Sequence, residues 1–139
     1  MNAIDTNVFI YALDTDDPAK QAKAKELIKR LAGAAESTLL PWQVAVELLS
    51  NLRKRESAKR ISAGDVEAYF RDFLDLFPMA IPTKQIFSRS FALRSRFSLS
   101  HWDSMLLAAC SEASVTKLYS EDLDTGTDYD GLTVVNPFV

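Results

Sequence analysis

Along the 139-residue chain the apolar positions change period several times, and each change marks an element. Residues 1–4 are short and mostly apolar, and Asp5, Thr6 and Asn7 then supply helix-capping residue types ahead of Val8, Phe9, Ile10 and Tyr11. That pattern predicts strand, cap and helix. Pro18 suits the first turn of a second helix, whose residues 19–32 are rich in Ala, Lys, Glu and Leu, with Ala24, Leu27, Ile28 and Leu31 spaced along one face before Gly33 ends it. Residues 37–40 read as a strand. Pro41 opens a third helix reaching about Arg55, with its apolar face predicted from Trp42, Val46 and Leu49 at three- and four-residue spacing.

Ser62 and Asp65 fit a capping box, which places a fourth helix over residues 64–76 with Val66, Tyr69, Phe70 and Phe73 facing inward. A strand over residues 77–81, a helix from Pro82 and Thr83 to about Arg96, a helix over residues 100–113, and strands at 117–119 and 132–135 complete the chain. The five predicted strands are separated by helical segments rather than hairpin turns, so the expected class is α/β, with a mainly parallel five-stranded sheet covered by helices. One domain over residues 1–139 is expected from the length, with no repeat, low-complexity tract or linker.

Composition narrows the chemistry. Hydrophobic residues make up 47% and charged residues 25%, which is globular and argues against a disordered or disulfide-scaffold class. With one cysteine, Cys110, and one histidine, His101, the chain cannot build an internal disulfide or a structural Cys/His zinc site. Its four glycines fall in neither a Walker nor a dinucleotide-binding spacing. No apolar run reaches the roughly 18–20 residues of a membrane span, and Asp5 lies too early for a signal peptide, so a cytoplasmic chain without membrane partners is expected. A Ser-His-Asp hydrolase is disfavoured because Asp103, two residues beyond His101, would not face it on a helix.

The net charge of −3 conceals a segregation. Residues 53–96 carry ten basic and five acidic side chains, whereas residues 97–139 carry one and seven. Arg53, Lys54, Arg55, Lys59 and Arg60 form one basic cluster and Lys84, Arg89, Arg94 and Arg96 another. Solvated helix faces explain such clusters, as does contact with a polar substrate carrying phosphates, for which Arg53, Lys54 and Arg94 are candidates.

The acidic residues carry the sharper reading. Asp5 follows the first strand and Asp122 the fourth, and in open parallel sheets ligands bind outside the carboxyl ends of the strands. Glu47 sits in a polar stripe with Gln43 and Asn51 on the third helix, and Asp103 opens an apolar helix. Helix capping would account for Asp5 and Asp122, and a capping box with Ser100 for Asp103. Convergence would account for all four. At about 4 Å and an effective dielectric of 20, each like-charged pair costs on the order of 4 kcal/mol, so converging carboxylates need a cation. Oxygen-only ligands select a hard ion, Mg²⁺ or Mn²⁺, and one or two such ions serve phosphoryl chemistry.

Four stretches together carry a family likeness: Asp5-Thr6-Asn7 behind the first strand, the run from Gln43 to Glu47, Ser100-His101-Trp102-Asp103, and the run from Tyr119 to Leu123 followed by Gly126 and a terminal Asn136-Pro137-Phe138. The chain resembles a PIN-domain ribonuclease, and most of all the toxin of a VapBC-type toxin–antitoxin pair. The resemblance implies an α/β/α sandwich and metal-dependent hydrolysis of RNA that leaves a 5′-phosphate and a 3′-hydroxyl. It gives Asp5, Glu47, Asp103 and Asp122 the family's four acidic positions, where they would ligate Mg²⁺ or Mn²⁺. Asn7 and Ser120 would orient the first acid and a water, and Asp124 would support or cap. It further implies a homodimer and an antitoxin that brings a basic side chain to the carboxylates. A PIN nuclease outside toxin–antitoxin systems and a catalytically silent PIN-like adaptor stand as alternatives.

Overall fold

The computed structural model describes residues 1–139. Its elements run β1 (Asn2–Ile4), α1 (Thr6–Leu13), α2 (Pro18–Ala32), β2 (Thr38–Pro41), α3 (Trp42–Ser57), α4 (Ala63–Leu76), β3 (Met79–Ala80), α5 (Gln85–Arg96), α6 (His101–Glu112), β4 (Lys117–Tyr119), β5 (Asp128–Tyr129) and β6 (Leu132–Val135). The strands form one sheet in the order β3-β2-β1-β4-β6-β5, flanked by the helices. β1 lies parallel between β2, with Ala3 opposite Leu39, and β4, with Ile4 opposite Tyr119. All pairings are parallel except β5 with β6.

The sheet therefore has six strands, not the five expected. The addition is a hairpin: Asp128–Tyr129 pairs antiparallel with β6 across Asp130 and Gly131, whose φ angles of 55° and 93° are both positive. A two-residue Asp-Gly turn with both φ positive is what right-twisted hairpin strands require, and the Asp130-Gly131 pair was its signal. Arg96 at the end of α5 reaches across to Asp130 as an ion pair.

Sequence logic accounts for the helix starts. Asp17 caps α2 by accepting from the Lys20 amide, with Pro18 at the first position. Ser62 and Asp65 complete the reciprocal capping box of α4. Within α4, Val66 and Phe73 are buried, Phe70 is partly so, and Tyr69 turns outward. The core is continuous beneath the sheet: Ala3, Ile4, Leu40 and Leu118 from the strands meet Val8, Phe9, Leu48, Leu52 and Leu107 from the helices. Phe9 anchors one side, edge-on to Phe73 at 5.0 Å.

Helix α3 departs from expectation. Its buried face is Val44, Ala45, Leu48 and Leu52, while Trp42 is 51% exposed and Val46 48% exposed. Trp42 and Val46 do share a face, but it adjoins the polar one of Gln43, Glu47, Ser50 and Lys54, and only Leu49 between the two packs against the core. The helix thus carries two apolar stripes, of which the fold uses one.

Candidate active site

Strand order reverses between β1 and β4, because β1 continues to β2 on one side while β4 continues to β6 on the other. The crevice outside the strand ends at such a switch point is where open α/β sheets hold ligands. Asp5 leaves β1 there and Ser120-Glu121-Asp122 leave β4, tied by the Asp5 amide donating to the Tyr119 carbonyl at 2.9 Å.

Asp5 is only 8% exposed and both of its carboxylate oxygens are held. The Thr6 amide donates to Oδ1 at 2.7 Å, which caps α1, and the fully buried Ser120 hydroxyl donates to Oδ2 at 2.7 Å. Ser120 Oγ in turn accepts from the Asp122 amide at 3.2 Å, so one hydroxyl links two acids. Burial pushes the Asp5 carboxyl up to about 6; the Ser120 and Thr6 bonds pull it down, and the charges of Glu47 and Asp122 push it further up. Asp5 thus caps α1 and also feels the charges of Glu47 and Asp122.

Glu47 is brought in from α3 by two bonds. Thr6 Oγ1 donates to its Oε2 at 3.2 Å, and Gln43 Nε2, one helical turn back, donates to its Oε1 at 2.8 Å. Asp122 is held by Asn7 Nδ2 at 2.9 Å. Asn7 Oδ1 is buried without a hydrogen-bond partner. Glu47 and Asp122 are thus each within electrostatic reach of Asp5. Asp103 stands at the first turn of α6, where its amide donates to Ser100 Oγ at 3.1 Å. The return bond of a capping box is absent, which leaves the Asp103 carboxylate uncommitted. Gln43 links this helix to Glu47, since its Nε2 also donates to the Trp102 carbonyl at 3.2 Å.

As arranged, no group of three or more His, Cys, Asp or Glu side chains closes to ligand geometry for an ion. The donor set itself suits a hard divalent cation, with carboxylate oxygens and the unpaired Asn7 amide oxygen and no thiolate or imidazole among them.

The remaining candidates lie elsewhere. Asp124 accepts from Thr127 Oγ1 at 2.6 Å and from the Gly126 amide at 2.9 Å, bonds that hold its carboxyl below the usual range and close a turn. Lys54 lines a groove with Glu47; Arg53 is exposed on α3, and Arg94 is exposed on α5 with its Nε donating to the Leu99 carbonyl at 3.3 Å. Cys110 is buried, and burial pushes its thiol up to about 12.

Two features have no signal in residue spacing. Thr6, the middle residue of the Asp5-Thr6-Asn7 run, joins Asp5 to Glu47. Lys20 pairs with Glu121 at 2.6 Å, donates to Tyr11 Oη at 3.3 Å, and lies 4.6 Å and 5.4 Å from the ring centroids of Tyr11 and Phe138. Beside Asp122, this cluster pins the β4 exit and the terminal Asn136-Pro137-Phe138 segment to α1 and α2.

Solved structures share this architecture. VapBC2 from Rickettsia felis, bound to a DNA fragment from its promoter, superposes with a TM-score of 0.70 at 13% identity over 97% of both chains. A toxin–antitoxin complex from Klebsiella pneumoniae gives 0.67 at 20% identity, covering 99% of this chain and 98% of that one. VapC20 of Mycobacterium tuberculosis, a sarcin–ricin-loop-cleaving toxin, gives 0.67 at 14% identity, covering 96% and 99%. No curated protein matches the chain by sequence. No helix is long and apolar enough to cross a membrane. Residues 3–126 match the PIN domain, a span that runs from β1 past the last of the four acids, and the chain belongs to the PIN-domain family.

Proposed function

We propose that this PIN-domain protein is a Mg²⁺- or Mn²⁺-dependent endoribonuclease and the toxin of a VapBC-type toxin–antitoxin pair. The observation that carries the reading is the Asp5 carboxylate, buried at the switch point of the sheet, held on both oxygens, and burdened by the charges of Glu47 and Asp122. A fold that keeps such a group beside two other acids has a use for a cation there.

Asp5, Glu47, Asp103 and Asp122 would hold the ion or ions. When bound, a divalent ion supplies Lewis-acid activation of water and offsets charge on the phosphate. The chain's own residues supply the preorganisation. Thr6 and Ser120 fix Asp5, Gln43 and Thr6 aim Glu47, and Asn7 holds Asp122 while offering its free Oδ1 as an acceptor for a water. Lys20 neutralises Glu121, so the one extra carboxylate beside Asp122 is turned away from the group.

Partners follow from charge and surface. A basic side chain from an antitoxin would meet a strongly acidic cleft. Phe87 and Phe91, one turn apart on α5, are 60% and 76% exposed, apolar surface suited to an antitoxin or to the second copy of a homodimer. Arg53, Lys54 and Arg94 would contact RNA phosphates around the acidic centre. The test is cleavage of total cellular RNA by the purified chain, free of any partner, with Mg²⁺, Mn²⁺ or EDTA. Cutting that requires the metal and is lost in Asp5→Asn and in Asp103→Asn supports the assignment. Undiminished cutting in either variant, or no cutting by a folded protein that binds Mn²⁺, refutes it.

A further inference from the structure

The unused apolar stripe of α3 opens onto a groove of about 830 Å³ that begins at Thr6, Gln43 and Glu47 and runs between α3, the segment after β3, and α6. Trp42 and Trp102 stand on its walls, 51% and 67% exposed. They are the only tryptophans in the chain. Tryptophan is highly buried in most folds, and two exposed indoles beside one another's helices mark a surface that something flat covers. Trp102 is also held rather than loose: His101 packs against it at 4.7 Å with an interplanar angle of 76°, and its backbone carbonyl accepts from Gln43. The residue that follows it is Asp103.

We infer that this groove is a nucleobase site, in which bases of single-stranded RNA next to the bond being cut stack on Trp42 and Trp102 while Lys54 meets a phosphate of the same strand. The inference rests on the ribonuclease reading above and adds to it where substrate specificity resides. The groove is mostly apolar and is also lined by Glu47 and Glu112; the polar residues of α3 are what favour a base over an apolar peptide. Ser50 and Lys54 follow Val46 along α3, and Asn51, whose Oδ1 accepts from Arg55 Nε at 3.2 Å, lies beyond them with its Nδ2 free. The Lys54 ammonium has no hydrogen bond or ion pair within the chain. A covering apolar helix would strip water from that ammonium and from the amide and hydroxyl without replacing its bonds. A nucleotide offers ring faces to the indoles, ring-edge donors and acceptors to the amide and hydroxyl, and a phosphate to the lysine. Stacking also tolerates any base, so the site would favour unpaired over duplex RNA before it favoured a sequence.

Because the chain holds no other tryptophan, its tryptophan emission, excited at wavelengths the four tyrosines do not absorb, reports on this groove alone. The experiment uses a mixed-sequence single-stranded RNA of about twelve nucleotides, within the span of typical single-strand sites, and the same sequence as a duplex, in EDTA so that nothing is cut. Wild type, Trp42→Leu and Trp102→Leu are compared. Single-stranded RNA should quench wild type and each single-tryptophan variant, and the duplex should quench far less. With Mg²⁺ or Mn²⁺ present, Trp102→Leu should lower kcat/KM at least about fivefold, the loss expected for one stacked base, and Trp102→Phe should recover most of it. If wild type cuts RNA while its emission ignores RNA and both leucine variants cut as it does, the inference fails and the groove belongs to a protein partner. If wild type neither binds nor cuts RNA, the ribonuclease reading fails and takes this one with it.

Discussion

Replacing Asp5 with Asn should stabilise the metal-free protein, by an amount that pH controls. The carboxyl is raised from 3.8 to about 6 in the fold, chiefly because it is buried. Between pH 4 and 6 the folded chain therefore binds a proton that the unfolded chain has released, and stability falls as pH rises through that window. Above it both states are ionised and the full cost applies. A gap of about two pKa units corresponds to about 3 kcal/mol. Asn stands in for the protonated acid at nearly unchanged shape: its amide oxygen can still accept from the Thr6 amide, and Asn caps helices as well as Asp does. Urea unfolding in EDTA should thus show Asp5→Asn more stable by about 3 kcal/mol at pH 8, roughly 10 °C in Tm for a domain of this size, and equal to wild type near pH 4. Mg²⁺ at tenfold over its Kd should narrow the pH 8 gap by about 1.4 kcal/mol, since only wild type gains from binding. A gap that does not change with pH, or a variant less stable than wild type at pH 8, would refute the reasoning.

Other expectations follow from the same geometry. Leu48→Ala, in the core face of α3, should cost about 2–5 kcal/mol in urea unfolding, whereas Val46→Ala two residues earlier should stay within about 0.5 kcal/mol; equal costs would overturn the assignment of the two stripes. Neutralising Arg53, Lys54 and Arg94 together should weaken RNA binding and flatten its dependence on log salt by about 0.7 for each phosphate left without a cationic partner, and an unchanged slope would remove these residues from the interface. Cys110, buried and with its thiol pushed up to about 12, should resist thiol reagents in the native state and react at once in urea; labelling of the folded protein without urea would contradict its burial.

Much of this was legible in the amino-acid order because local rules and the global fold agree. The strands at Lys117–Tyr119 and Leu132–Val135 and the Ser62 capping box stand where the pattern placed them. The missed strand is two residues long, too short for alternation to register, although its Asp130-Gly131 turn was visible. The misread face of α3 has a different cause. Periodicity finds apolar stripes, but it does not say which of two faces the core, and Trp42 outweighs Val44 or Ala45 in any reading by size. Among the acids, Asp5, Glu47 and Asp122 are brought together by Thr6, Asn7 and Ser120, small polar residues whose significance lies in hydrogen bonds spanning 41 and 115 positions. Spacing along the chain carries no trace of such bonds.

The switch point also fixes when the site can exist. The Ser120 hydroxyl that holds Asp5 is made 115 residues after it, and the Ser120 amide is itself anchored to the Val135 carbonyl at 3.0 Å. β1 cannot pair with β4, nor β4 with β6, until residues 117–119 and then 132–135 have been made. A nascent chain that stops short of β4 would carry Asp5 and Glu47 without the Ser120 hydroxyl and the Asp122 carboxylate that complete the group. The proposed site is thereby inert until the strand at residues 132–135 has been made.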